Sequence, residues 1–274
     1  MSRRLAAVCA ATAAVVCAAA TPAMGVRFAV KGDWGSGTAN QAAVSKRMCA
    51  TWDRARFPFV LTTGDNFYPA GRATAATFDR PERCLLDRGV RYRAVWGNHD
   101  VPGPSTRDVL RAPARWYTFL VGSSRLVMLD GNQPENPAQL RFLRGVLAAE
   151  RVRPVIVAYH QPTRTAGFHE PQTSQQRAWE PLFERYKVRL VLQGHNHLYE
   201  RIRFHGITYV TTGGGGANLY PCVRPAAGLV TCKPVLHFLM VEVTPTRIGV
   251  RALDTGGGIV DRFRIDLTPQ PAAG

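Results

Sequence analysis

Five times between residues 32 and 197, a run of β-type residues breaks off into a short polar turn carrying aspartate, asparagine, histidine or tyrosine. The segments are Gly32-Asp33-Trp34-Gly35, Gly64-Asp65-Asn66-Phe67-Tyr68, Gly97-Asn98-His99-Asp100, Val157-Ala158-Tyr159-His160 and Gly194-His195-Asn196-His197. This pattern restricts the fold more than any other feature of the chain. Side chains so far apart in sequence meet only if their strands end at one edge. In open α/β sheets, ligands bind in the crevice outside the carboxyl ends of the strands.

The stretches between these turns alternate in character. β-runs are expected over 26–32, 57–63, 91–96, 116–121, 125–129, 154–159 and 188–192. Helical spacing runs over 39–54, through Ala43, Val44, Arg47, Met48 and Ala50, and over 74–86, 137–149 and 174–186. Asn136 is the expected N-cap of the third of these helices, with Pro137 at its first position. From residue 199 the pattern becomes strand after strand, over 199–204, 207–212, 236–243, 247–253 and 259–265. An α/β fold with two packed sheets flanked by helices accommodates this order. The 274 residues, 46% of them hydrophobic, suffice for one sizeable core. After the N-terminal segment there is no linker, internal repeat or low-complexity stretch.

Arg3 and Arg4, the apolar stretch 5–20 and the small-residue site Thr21-Pro22-Ala23 read as a secretory signal peptide, residues 1–23, cleaved near Ala23 or Ala20. Residues 24–274 are then the working domain, secreted to the cell exterior or its wall, with no membrane span. An oxidising compartment follows. The domain keeps Cys49, Cys84, Cys222 and Cys232, which allow three pairings. Cys222–Cys232, closing a short loop around Pro225 and Gly228, is favoured together with Cys49–Cys84. No Asn-x-Ser/Thr sequon is present.

The formal charge is +16, or about +14 without Arg3 and Arg4. Such a surface attracts phosphorylated substrates, nucleic acid or an acidic cell-surface polymer. The arginines are spread along the chain and no nucleic-acid recognition motif accompanies them, so nucleic acid is not a specific partner. A solvated basic surface accounts for most of the charge.

The turn residues offer carboxylate and amide oxygens and imidazole nitrogens, donors that suit Fe, Mn or Zn. Two such ions close together need a bridging anion, and a site of that kind suits phosphate-ester hydrolysis. Asp65 is the natural bridge, and Asp33 adds a second negative charge. Asn98 coordinates through its amide oxygen. His160, His195 and His197 supply imidazoles, the last two on one side of an extended chain. Tyr68 discriminates among metals, because a phenol of pKa about 10 becomes a ligand only beside a strongly Lewis-acidic cation such as ferric iron.

These five blocks, in this order and with Tyr68, resemble the purple acid phosphatases within the calcineurin-like metallophosphoesterases. The string Gly194-His195-Asn196-His197-Leu198-Tyr199-Glu200-Arg201 is especially close to the family form. The resemblance implies a four-layer αββα sandwich of two mixed sheets flanked by helices. It also implies a secreted acid phosphatase that hydrolyses phosphomonoesters by attack of a metal-bound hydroxide. Asp33, Tyr68 and His197 would hold Fe(III). Asn98, His160 and His195 would hold a divalent Fe, Zn or Mn, and Asp65 would bridge. His99 matches a histidine that contacts the substrate phosphate, and His169 one proposed to protonate the leaving group. The chain resembles the compact form, without the extra N-terminal β-domain of larger members. Glu170 stands where plant-type members carry a further histidine. A carboxylate there would disfavour anionic substrates or raise the neighbouring imidazole pKa. A phosphodiesterase or nucleotide-cleaving enzyme with the same metals is the alternative, and a non-hydrolytic phosphate-binding metalloprotein is the reading from outside the enzymes.

Other residues are expected to be structural. The run Thr211-Thr212-Gly213-Gly214-Gly215-Gly216 lacks the Lys-Ser/Thr of a phosphate-binding loop and is expected to let backbone pass close to the metal centre. Asp130, His205 and His237 are read as structural. Trp34 and Tyr159 are read as packing beside the ligands, with lining of the substrate cleft as the alternative, and Asp100 as either orienting His99 or structural.

Overall fold

The computed structural model describes residues 25–267. The expected signal peptide lies outside the described residues. Two sheets pack face to face. The six-stranded sheet has the order β13-β12-β11-β1-β2-β3, from β1 (Val26–Lys31), β2 (Phe59–Thr62), β3 (Arg91–Ala94), β11 (His237–Val243), β12 (Arg247–Asp254) and β13 (Ile259–Asp266). The seven-stranded sheet has the order β10-β8-β9-β7-β6-β5-β4, from β4 (Tyr117–Val121), β5 (Ser124–Met128), β6 (Val155–Ala158), β7 (Leu190–Gln193), β8 (Tyr199–Phe204), β9 (Ile207–Thr212) and β10 (Leu229–Lys233). Both are mixed. β1, β2 and β3 run parallel, as do β5, β6, β7 and β9, while the outer strands are antiparallel. The seven-stranded sheet is inserted in the chain between β3 and β11, so β1 pairs with a strand more than two hundred residues later.

Phe28, Val30, Leu61, Leu126, Leu192, Leu239 and Val241 belong to the buried cluster formed by residues of both sheets. A second apolar cluster, with Val44, Met48, Phe57, Leu85 and Met240, seats α1 (Ala39–Arg54) and α2 (Arg80–Asp87) on the six-stranded sheet. A third, with Leu143, Leu147, Trp179 and Phe183, seats α4 (Pro137–Ala149) and α5 (Thr173–Arg185) on the other. The result is the expected αββα order of layers.

The bounds of α1 and α4 are those read from the sequence. Asn136 Oδ1 accepts from Ala138 N at 2.9 Å and Gln139 N at 3.4 Å, the expected cap. The helix expected over 74–86 begins instead as a π-helical turn, Ala75–Asp79. There Arg80 N–H reaches back five residues to Ala75 O, just before Pro81, which has no N–H to donate. Two short elements lie outside the expected set. α3 (Ser105–Asp108) is a single polar turn. β10 is an edge strand without the apolar alternation that would reveal it.

Cys49–Cys84 and Cys222–Cys232 are joined as disulfides, the favoured pairing. The first ties α1 to α2. No helix among the described residues is long and apolar enough to cross a membrane.

Beneath the Asp33 turn, Lys31 is wholly buried and pairs with Glu82 at 2.7 Å. Ser45 Oγ and Tyr92 Oη also donate to Glu82, each at 2.6 Å. The Lys31 ammonium lies 3.9 Å from the Trp34 ring centroid. Burial pulls the Lys31 pKa down against its attraction to Glu82. Burial pushes the Glu82 carboxyl up, but Lys31 and the hydroxyl donors hold it below the usual range.

Candidate metal centre and active site

Asp33 follows β1, Asp65 and Tyr68 follow β2, and Asn98 and His99 follow β3. His160 follows β6, and His195 and His197 follow β7. The five turns therefore meet along the carboxyl-terminal edge shared by the two sheets. Asp33, Asp65 and His195 have left-handed backbone, with φ of 56°, 47° and 68°. For non-glycine residues this conformation is costly and recurs at functional sites. Their neighbours permit it. A Cβ on Gly64 would sit 2.6 Å from His160 Nδ1, and one on Gly97 would sit 2.1 Å from Asp65 Oδ1. The glycine run passes close, as expected: a Cβ on Gly213 would lie 2.8 Å from Asp33 Oδ2.

The donors fall into two groups that share Asp65. Tyr68 Oη donates to Asp65 Oδ2 at 3.1 Å and Asp33 Oδ1 at 3.4 Å, and lies 3.1 Å from His197 Nε2. His197 Nε2 is itself 3.4 Å from Asp33 Oδ1. On the other side His160 Nε2 is 3.3 Å from Asp65 Oδ2 and 3.1 Å from Asn98 Oδ1. Asp65, His160 and His195 place one ligand atom each within 4.8 Å of one another. The outer nitrogens are committed elsewhere. His160 Nδ1 donates to Thr63 O at 2.8 Å and His197 Nδ1 to Asn218 O at 2.6 Å, which leaves both Nε2 atoms facing the centre. Two carboxylates, a phenol, an amide oxygen and three imidazoles, gathered around two foci with one shared carboxylate, fit a pair of borderline cations.

Without cations the groups neutralise each other. Burial opposes charge on His160, but Asp65 and Asp33 push it up to about 9. Burial and the adjacent His160 push His195 down to about 2. Burial raises the Asp65 carboxyl, yet His160 and the His99 N–H hold it well below the usual range. Burial and the two aspartates push the Tyr68 phenol far up. Metal uptake must therefore expel protons. At pH 7, zinc titration of the chelated protein should release protons into the buffer, with affinity rising toward pH 9. The sign for stability follows from the raised His160 pKa. In the metal-free protein the pair's contribution is complete below 6.5 and lost as pH rises through about 9. The Tm of chelated protein should fall over that window, and calorimetry in buffers of different ionisation enthalpy checks both expectations.

His99 and His169 stand at the rim. His99 Nδ1 donates to Pro69 O at 2.7 Å, its Nε2 lies 3.9 Å from Asp65 Oδ2, and its backbone N–H binds Asp65 Oδ1 at 2.9 Å. The His169 ring lies 4.1 Å from the His195 ring, centroid to centroid. Asn196, between the two motif histidines, turns away from the centre. It accepts from His169 N at 2.7 Å and donates to His169 O at 3.1 Å, and so fixes the His169 loop. Burial and the neighbouring His197 lower the His169 pKa. The expected rise from Glu170 does not occur, because Glu170 swings outward to Arg224 at 2.7 Å. Arg224 also donates to the carbonyls of Gly167, Phe168 and His169.

Asp100 does not orient His99. It accepts from Asn66 N at 2.9 Å and Gly97 N at 2.8 Å, tying two ligand loops together. Burial and the nearby Asp65 push it up to about 6. Trp34 and Tyr159 are fully buried beneath the site and do not line it. Asp130 is held by Arg115 at 2.8 Å, and His205 pairs with Glu184 at the surface. His237 is buried, its ring 3.0 Å from Thr212 Oγ1.

Sequence reasoning missed Tyr220. Its ring stacks on His197 with centroids 4.1 Å apart and an interplanar angle of 10°. It also flanks His169 and the exposed Phe168, at 5.2 and 5.3 Å. Its one sequence clue is a place between the glycine run and Cys222.

The calcineurin-like phosphoesterase family model matches residues 26–199, a span that holds every ligand candidate. The chain belongs to this family. Tartrate-resistant acid phosphatase type 5 of Rattus norvegicus is 29% identical over 91% of this chain and 93% of its own length. The Homo sapiens protein of that name is 30% identical over 72% of this chain and 74% of its own. Purple acid phosphatase 7 of Arabidopsis thaliana is 25% identical over 70% of each. Among solved structures, GAP50, the anchor in the inner membrane complex of Plasmodium, covers 90% of both chains with a TM-score of 0.79 at 18% identity. The purple acid phosphatase PPD1 from yellow lupin seeds covers 88% of this chain and 54% of that one, with a TM-score of 0.72 at 18% identity. The two structural likenesses show the shared fold. With the sequence relatives, the family match makes this a purple acid phosphatase-like metallophosphoesterase, a phosphoric ester hydrolase whose family implies a binuclear metal centre.

Proposed function

We propose that residues 24–274 form a secreted, extracellular or wall-associated acid phosphatase acting on phosphomonoesters, and that residues 1–23 direct its export. The observation that carries the catalytic reading is the shared carboxylate. Asp65 Oδ2 stands 3.1 Å from Tyr68 Oη and 3.3 Å from His160 Nε2, between two otherwise separate donor groups. Asp33, Tyr68 and His197 would hold Fe(III), and Asn98, His160 and His195 a divalent Fe, Zn or Mn, with Asp65 common to both. The phenol supports ferric iron. Two aspartates and burial make it a poor acid, and only a strongly Lewis-acidic neighbour would reverse that. The disulfides support export to an oxidising compartment.

When bound, the two ions supply charge for the phosphoryl oxygens and make a water acidic enough to furnish a hydroxide nucleophile near neutral pH. The chain's own residues do the rest. His99, fixed through Nδ1 to Pro69 O, presents Nε2 to a substrate oxygen. His169, held by Asn196 and beside His195, donates a proton to the departing alcohol. Burial and the neighbouring His197 lower its pKa from the usual imidazole value, so acid favours its proton-donating form and turnover should fall as pH rises toward neutrality.

Alanine at His99 or His169 should lower kcat for an aryl phosphate monoester by about 10²–10⁴-fold, the usual worth of a positioned acid or base. Metal content should stay unchanged, and His169→Ala should also flatten the fall in turnover as pH rises toward neutrality. The assay supplies iron and zinc and compares matched aryl mono- and diesters across pH. A diester preference or an alkaline optimum would move the protein to the phosphodiesterase or nucleotide-cleaving reading. No turnover of either ester with metals bound would leave a non-hydrolytic phosphate-binding protein.

A further inference from the structure

The outer face of the six-stranded sheet is covered by α1 and α2 over only part of its width. The uncovered part, on β1, β11, β12 and β13, forms a trough of about 680 Å³. Its side chains line up in rows across the strands. In one row Arg27 opposes Glu242, which opposes Gly249, which opposes Arg264. In the next, Met240 opposes Arg251, which opposes Arg262. Arg247 stands at the open end of β12. Gly249 leaves a gap in the floor, so the guanidinium groups border a channel.

Two arginines directly opposite each other on paired strands repel, and such like-charge pairs weaken a sheet. Arg251 and Arg262 are such a pair. The carboxylates on this face are already engaged, Glu242 with Arg27 at 2.8 Å and Asp266 with Arg264 at 3.4 Å. Among the described residues, no carboxylate forms an ion pair with Arg247, Arg251 or Arg262. An anion seated in the trough would relieve that repulsion. The cations are all arginine, whose planar fork binds phosphate through two parallel hydrogen bonds. Nothing here offers a base a stacking surface: the ring bordering the trough, Phe263, packs inward against the core under Arg201, 4.7 Å away.

We propose that this trough is a docking surface for a linear phosphate polymer. It lies away from the catalytic edge. Arg27 is six residues before Asp33 on an extended strand, about 20 Å along the chain at roughly 3.3 Å per residue. The polymer is thus held by a surface that takes no part in hydrolysis, and the proposal stands or falls independently of the catalytic reading.

The test measures sedimentation of the full-length metal-loaded protein with long-chain inorganic polyphosphate at several NaCl concentrations. The double substitution Arg251→Ser/Arg262→Ser should raise Kd at least about tenfold and shrink the slope of log Kd against log[NaCl] by roughly 1.5, as for two lost phosphate contacts. Its Tm without polymer should equal or exceed the parent's, since the Arg251–Arg262 repulsion is gone, and its turnover of a small aryl phosphate should match the parent. Arg141→Ser/Arg144→Ser, an equal charge change on the exposed side of α4, should leave Kd within about twofold. Equal weakening by both double variants, or no weakening by the first, would overturn the proposal. So would heparin or single-stranded DNA binding as tightly as polyphosphate and losing as much with Arg251 and Arg262.

Discussion

Asp65→Asn will cost the protein its metal centre while leaving its fold intact. The substitution keeps the shape of the side chain and removes the charge shared by both donor groups. Metal content per chain should fall sharply after dialysis. The kcat for an aryl phosphate should drop by about 10³-fold or more, corresponding to several kcal/mol of lost charge stabilisation. Elemental analysis and steady-state kinetics read the two effects separately, and far-ultraviolet circular dichroism checks the fold. The backbone sets a second condition. Asp65 has φ 47°, a region that asparagine tolerates better than most residues, so the loss is not attributable to strain. Full metal content in the asparagine variant would contradict the bridging role.

The second large effect lies under the site rather than in it. Lys31→Met will leave Glu82 as a buried charge with hydroxyl and amide donors but no cation. Breaking one partner of a buried ion pair costs about 3–5 kcal/mol. For a chain of this size, that is roughly a 10 °C fall in Tm. Glu82→Gln alone strands the ammonium and should cost as much. Together the two substitutions should recover most of the loss, because the introduced amide oxygen can still accept from Ser45, its NH2 can donate to the Tyr92 hydroxyl oxygen, and no unpaired charge remains. Thermal unfolding of the four proteins completes the cycle. If the double variant is as unstable as the sum of the singles, Lys31 and Glu82 do not act as a pair.

Much of this architecture was legible because its signals are local. The apolar period of α1, the Asn136-Pro137 start of α4 and the β-runs broken by Gly-Asp or Gly-Asn turns each sit within a few residues. The nine candidate site residues converge because every one follows a strand of the two sheets and both sheets end at one edge. What escaped depends on partners far away in sequence. Nothing local marks Lys31 as buried, because its partner Glu82 stands fifty-one positions later. Tyr220 belongs to no motif, and only the path of the loop after β9 brings it onto His197. Glu170 was expected to act on His169, but Arg224 draws it away. The strand β10 has no periodicity of its own and is defined by its pairing with β8.

The interruption of one sheet by the other has a consequence for how the molecule is made. A ribosome releases β1, β2 and β3 early, with Asp33, Asp65, Tyr68 and Asn98 already in hand. The strand that flanks β1 emerges only after all of β4 to β10. Until then the first three strands expose an unpaired edge and one bare face, and contacts this distant in sequence form slowly. If the chain is exported as proposed, delayed closure suits passage across a membrane before folding. The nascent protein would stay threadable through most of its synthesis, and its metal-binding cleft would assemble only after passage, where the bridging cysteines can oxidise.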